Sequence, residues 1–231
     1  MKITQNPSPN FTQGRNSHTP DLIVCHITEG AFNGTLSWIA NPASQVSYHF
    51  VVAKDGRIAQ AVDIKNTAWA NGTTLTGSRG NKHSPLATVR NRNTNANQYT
   101  ISIGFEGRHA QTAGAITPQQ QKSAIFLIAY IRKAVQRIYG IKIPLATQHL
   151  VGHSHITPRW KPHCPGNAFP FAEILQGLKA QKQPVPSHWA ANAWAWGKQH
   201  RITDGSNPQG KPTREQMVQL LYNYHNHVAS M

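Results

Sequence analysis

The order of apolar runs along this chain predicts an α/β fold: a central mixed β-sheet flanked by helices, with a small all-α unit at the C-terminus. Three observations carry the expectation. Short β-rich runs such as Leu22-Ile23-Val24-Cys25-His26 and Thr100-Ile101-Ser102-Ile103-Gly104-Phe105-Glu106 alternate with helical patterns. The strongest helix signal, which opens at Thr117-Pro118-Gln119-Gln120, stands between two such runs. Beyond Gln181–Pro186, a polar and proline-marked stretch, only helical periodicity remains. Residues 1–180 are therefore expected to form one domain, 181–186 a linker, and 187–231 a helix-loop-helix unit near the lower size limit for independent folding.

Residues 1–20 are polar, include three prolines and read as an irregular arm. The segment from Asp21 to His26 is the first expected strand, and Thr35–Ala40 a short helix. Val46–Ala53 and Ile58–Val62 flank Lys54-Asp55-Gly56-Arg57, so Asp-Gly marks a hairpin turn. Residues 63–98, rich in Asn, Thr, Gly and Ser, read as long surface loops, a common seat of function. In the long helix, Ile125, Ile128, Ile131, Val135 and Ile138 form the apolar stripe and Gly140 ends it. A short strand around Ala146–Val151 follows. In the tail, Trp189, Ala193 and Trp196 recur at helical spacing, Ile202-Thr203-Asp204-Gly205 reads as a turn, and Thr213-Arg214-Glu215-Gln216 opens the last helix with a capping box.

Charge is the strongest bulk property. Twenty-three Lys and Arg face eight Asp and Glu, a net charge of +15. Such a field attracts polyanions, and by charge alone nucleic acid and the anionic polymers of a bacterial wall fit equally. No RRM, KH or zinc-finger pattern supports specific nucleic-acid binding. No apolar run reaches the length of a membrane span, and the N-terminus lacks the apolar core of a signal peptide. Two cysteines without an export signal argue against a disulfide framework; Cys25 reads as a small buried apolar residue.

The segment Val151–Gly166 concentrates chemistry. It carries His153, His155, His163 and Cys164 together with Arg159 and Lys161, and three prolines make it a loop able to aim side chains inward. Imidazole plus thiolate is donor chemistry for Zn²⁺, and a catalytic zinc takes three protein ligands with one position left for water. His26, at the end of the first strand, is the third donor. Two neutral imidazoles and one thiolate leave the site near +1, enough to acidify water. The chain reads as a zinc hydrolase.

Several of these pieces resemble one family in order and spacing. Ile23-Val24-Cys25-His26-Ile27-Thr28, Ser47-Tyr48-His49-Phe50 before Lys54-Asp55-Gly56, Ala68-Trp69-Ala70, Ser102–Glu106, Thr117-Pro118-Gln119, Gly152-His153 and Cys164-Pro165-Gly166 are similar to the zinc-dependent N-acetylmuramoyl-L-alanine amidases of the phage-lysozyme and peptidoglycan-recognition type. The resemblance implies His26, His153 and Cys164 as the metal ligands. It makes Glu106 the acid that handles the water proton, Tyr48 a neighbour of the metal, and Lys161 a donor to the oxyanion. At Lys161 the chain departs from the pattern, with two residues rather than one before the last ligand, so His155 or His163 could share that role. By the same resemblance the substrate is bacterial peptidoglycan, cut between N-acetylmuramic acid and L-alanine. The expected setting is a phage-type lytic enzyme made in the host cytoplasm and acting on the wall after release. A non-catalytic peptidoglycan-binding protein on the same fold is the alternative. The tail resembles a single S-layer-homology motif, which implies wall binding or a homodimer contact. Trp69 is expected in the core rather than against sugar.

Overall fold

The structure, a computed structural model, describes residues 1–73, 77, 80–180, 186–203 and 209–229. In chain order its elements are β1 (Ile3–Gln5), β2 (Phe11–Thr12), β3 (Leu22–Ile27), α1 (Phe32–Ala40), β4 (Phe50–Val52), β5 (Ile58–Gln60), β6 (Thr67–Ala68), α2 (Ala87–Arg90), β7 (Thr100–Phe105), α3 (His109–Thr112), α4 (Pro118–Tyr139), β8 (Leu150–Gly152), α5 (Phe171–Ala180), α6 (Ala191–Gln199) and α7 (Arg214–Ala229). The chain divides into two compact units, Met1–Leu178 and Lys179–Met231.

The first unit is built on a six-stranded sheet of order β1-β5-β4-β7-β3-β8. Only the β4–β5 hairpin is antiparallel; β1–β5, β4–β7, β3–β7 and β3–β8 are parallel. The mixed sheet is thus as expected, and its inner strands β4, β7 and β3 are buried along their whole length. Side chains alternate across them. Ile23, Cys25, Ile101, Ile103 and Phe105 face one side, where Leu127, Ile128 and Ile131 of α4 and Ile174 and Leu175 of α5 cover them. Leu22, Val24 and His26 face the other side. The buried stripe of α4 is centred on Ala124, Leu127, Ile128 and Ile131, so Ile125 and Ile138 of the expected stripe are only half-buried at its margins. Both ends of α4 are as the capping residues predict: Thr117 and Gln120 form a capping box, and Gly140 takes the left-handed conformation at φ 73°.

Two segments depart from the sequence reading. The first twenty residues are not an irregular arm throughout, because β1 extends the sheet edge and Arg15 is buried. The Arg15 guanidinium donates to the carbonyls of Ile64, Gln98 and Thr100 at 2.8, 3.0 and 3.0 Å, pinning the arm to the start of β7. Residues 63–98 are likewise more than surface loops. Val89 and Ala96 pack with Leu22, Val24 and Tyr99 on the second face of the sheet. Asn71 and Asn97 are buried, with Asn71 N–H donating to the Asn97 side chain and Asn71 Nδ2 to Thr100 Oγ1. These bonds offset part of the cost of burying polar side chains in this layer, while Asn71 Oδ1 is buried without a partner among the described residues.

In the second unit, Thr213 and Gln216 make the expected capping box at the start of α7. The Trp196 ring meets His200 and His227, at 4.8 and 5.7 Å between centroids. Positions 181–185 of the expected linker, and Asp204-Gly205 of the expected turn, lie outside the described residues. Among the described residues no helix is long and apolar enough to cross a membrane.

Candidate metal centre

The second face of the sheet carries the site. His26 is the fifth residue of β3 and pairs in register with Gly104. A Cβ on Gly104 would lie 3.0 Å from Tyr48 Cδ2, so the missing side chain lets the Tyr48 ring lie over the strand beside His26. The rings of His26 and Tyr48 stand 5.2 Å apart. Neighbouring β8 ends at Gly152, and the single helical turn His153–His155 then drops the His153 ring next to His26. Cys164 arrives on the following loop, held by Ser154 N–H donating to the Cys164 carbonyl at 2.8 Å. Glycine is required here too: a Cβ on Gly152 would sit 2.6 Å from Pro165 Cδ.

Three donor atoms converge. His26 Nδ1 lies 3.1 Å from His153 Nδ1 and 4.0 Å from Cys164 Sγ. His26, His153 and Cys164 form a cluster able to hold a metal ion, their donor atoms all lying within 4.8 Å of one another. A tetrahedral zinc with ordinary bond lengths separates two nitrogens by about 3.3 Å and nitrogen from sulfur by about 3.6 Å. The set fits that ion without rearrangement larger than a side-chain adjustment. Tautomers fit as well. His153 Nε2 is 2.9 Å from the Asn71 carbonyl, an acceptor only, so Nε2 carries the hydrogen and Nδ1 presents a lone pair. His26 Nε2 is buried without a partner. Burial pushes both imidazoles toward the neutral form, His153 down to about 4 and His26 well below its ordinary value. Burial also pushes the Cys164 thiol up to about 11, a penalty that a bound cation reverses.

A cavity of about 740 Å³ opens over these atoms. Tyr48 and Lys161 line it together with His26, His153 and Cys164. Lys161 sits close enough for its charge to oppose protonation of both imidazoles. Burial raises the Tyr48 phenol, which keeps its hydroxyl protonated and able to donate.

Glu106 is placed differently. It leaves the sheet face of Gly104 just beyond β7, but its Oε2 accepts the Lys54 N–H at 2.7 Å and it is not part of the cavity wall. His155 also lies outside the wall, its Nδ1 accepting the Gly152 N–H at 3.3 Å. His163 lines the cavity and stacks on His109, 5.2 Å between ring centroids. Trp69, expected in the core, is instead half-buried at the cavity, with its indole N–H donating to Thr12 Oγ1. Sequence reasoning missed Glu29 and Trp38, which line the same space. An acid three residues after His26, at a strand end, was the available signal for Glu29.

Fold and site together define a class of α/β protein in which a mixed sheet presents a His-His-Cys cluster to an open cavity. The sequence profile of the N-acetylmuramoyl-L-alanine amidase family matches residues 16–167, and the chain belongs to that family. It is 28% identical over 177 residues to N-acetylmuramoyl-L-alanine amidase A of Achromobacter lyticus, covering 72% of this chain and 88% of that protein. It is 26% identical over 197 residues to the 1,6-anhydro-N-acetylmuramyl-L-alanine amidase AmpD of Salmonella typhimurium, covering 77% and 91%. Among solved structures, a selenomethionine derivative of AmpD matches with a TM-score of 0.50 at 24% identity, over 76% of this chain and 93% of that one. A point mutant of PlyL matches at 0.51 with 17% identity, over 78% and 99%. These two likenesses concern the fold.

Proposed function

We propose that this chain is a zinc-dependent, endolysin-type peptidoglycan hydrolase that cleaves the amide between N-acetylmuramic acid and L-alanine. The convergence of His26 Nδ1, His153 Nδ1 and Cys164 Sγ at the floor of an open cavity carries the reading. When bound, zinc supplies a Lewis acid that polarises the scissile carbonyl and acidifies a nearby water. The chain's own residues handle the protons and the developing charge. Glu106, on the sheet face of Gly104 but held outside the cavity wall by the Lys54 N–H, is assigned the transfer of a proton from the attacking water to the departing nitrogen, a role that requires its carboxylate to turn inward. Tyr48 O–H and Lys161 Nζ are the donors for negative charge growing on the carbonyl oxygen. The C–N bond breaks, the lactyl carbon keeps the water oxygen, and L-alanine leaves as an amine.

The net charge of +15 supports attraction to anionic wall polymers, whose local concentration it would raise around the enzyme. The domain roles follow: residues 1–180 catalyse, and 187–231 either bind wall or pair two copies. Sedimentation of the full chain with and without purified walls separates those two roles. The activity itself is tested by mass spectrometry of peptidoglycan digested with and without a chelator. New N-terminal alanine amines without new reducing sugar ends, abolished by the chelator, are expected. Wall binding without new amines would instead make the chain a non-catalytic binding protein.

A further inference from the structure

We propose that Glu29 is the residue that receives the leaving amine, binding the amide N–H of the substrate and then the ammonium of the released L-alanine. The inference rests on the amidase reading above.

Among the described residues, Glu29 is the only carboxylate in the cavity wall; the charged and titratable side chains around it there are Lys161, His109, His163, His26, His153, Tyr48 and Cys164. In a strongly basic protein, the carboxylate of this wall is the point where a released ammonium group finds a negative partner. The residue is held in place from both sides. Its backbone takes φ 58°, a left-handed conformation uncommon for a residue with a side chain. Thr28 before it donates its N–H to the Phe105 carbonyl at 2.9 Å and its hydroxyl to the Gly30 carbonyl at 3.0 Å. Gly30 after it bridges to Gly107. The carboxylate itself accepts the His109 N–H through Oε1 at 3.1 Å. Neither ion pair among the described residues, Arg57–Asp55 and Arg92–Asp21, uses it. Its charge reaches the donor set, since it opposes ionisation of both Cys164 and Tyr48. A strained backbone held by three separate contacts and ending in a carboxylate without a cationic partner, beside the reacting centre, is a recognition element for a cation.

The chemistry supplies that cation. Hydrolysis turns an amide nitrogen, a neutral donor, into an alanine amine that is protonated near neutral pH. Glu29 transfers no proton; it holds the nitrogen before and after the bond breaks, while the proton arrives from water through Glu106.

The test is equilibrium binding of an L-alanyl-D-glutamate dipeptide, with its α-amine free or acetylated, to the zinc-loaded full-length chain. Wild type is expected to bind the free amine about tenfold more tightly than the acetylated form, the size of one hydrogen-bonded charge pair at a partly exposed site. Glu29→Gln should bring the two affinities within about twofold. Glu29→Asn removes the charge while suiting the left-handed backbone, and should do the same. Glu173→Gln, an equal charge change on α5, should leave the tenfold preference intact. A preference that survives both Glu29 variants overturns the assignment, because the amine is then held elsewhere. If wild type releases no alanine amine from purified wall, the amidase reading falls; if it does and the preference survives, only the role of Glu29 falls.

Discussion

Acidifying the metal-free protein should unfold it through its histidines, and the size of the effect follows from the site. His153 is held down to about 4 from an ordinary 6.5 because its ring is buried. Above 6.5 neither state binds the proton. As pH falls below 6.5 the unfolded chain takes up a proton that the folded imidazole refuses, so stability present at pH 7 is lost progressively down to pH 4. The gap is worth about 3 kcal/mol. His26 and His49 are displaced in the same direction by burial, so they add to the loss in the same pH range. On the alkaline side Cys164, raised to about 11 from 9.0, loses stability as pH rises from 9 to 11. That loss is worth about 3 kcal/mol by the same relation. Urea denaturation at pH 7, 5.5 and 4 in excess chelator measures the acid limb. With zinc present at a thousand times its Kd the folded state gains about 4 kcal/mol at pH 7, and the gain should shrink as protons compete for the ligands. A chelated protein whose stability is flat between pH 7 and pH 4 would refute the burial argument.

The other expectations concern single residues. Cys164→Ser should reduce bound zinc, measured by atomic emission after dialysis, and lower activity in parallel. Glu106→Gln should keep zinc at the wild-type stoichiometry and lower turnover by about 10²-fold or more, the usual share of a general base; full activity in that variant would remove Glu106 from the mechanism. Arg15→Met strands the carbonyls of Ile64, Gln98 and Thr100, and should destabilise the fold by about 3 kcal/mol, read as a drop of about 10 °C in Tm. Gly166→Ala places a Cβ 2.0 Å from the Ala113 carbonyl oxygen at φ 127°, and should destabilise by about 3 kcal/mol or more while also loosening Cys164.

The parts of this protein legible from sequence are those in which local chemistry decides the outcome. The Thr117–Gln120 capping box and Gly140 mark the limits of α4 because backbone groups at helix ends need those partners. The Asp55-Gly56 turn identifies the β4–β5 hairpin for the same kind of reason. His26, His153 and Cys164 stand out because few side chains can serve a soft cation. What was illegible depends on residues far apart in the chain. Arg15 reads as surface until the carbonyls that receive it are assembled from two later segments. Asn71 and Asn97 look like loop residues, yet both are buried, with the Asn71 backbone N–H donating to Asn97 Oδ1. Trp69 reads as core because its apolar bulk is plain in the sequence and the cavity beside it is not. Glu29 gains its meaning only once Gly107 and His109 return beside it from the far end of β7.

The three donors stand on unequal foundations. His26 belongs to a strand flanked on both sides by parallel neighbours, and His153 is locked by the Asn71 carbonyl, whereas Cys164 hangs on a loop. The two imidazoles therefore stand as a preformed pair of nitrogen donors, and in the proposed zinc site the loop-borne thiol of Cys164 would be the adjustable third ligand.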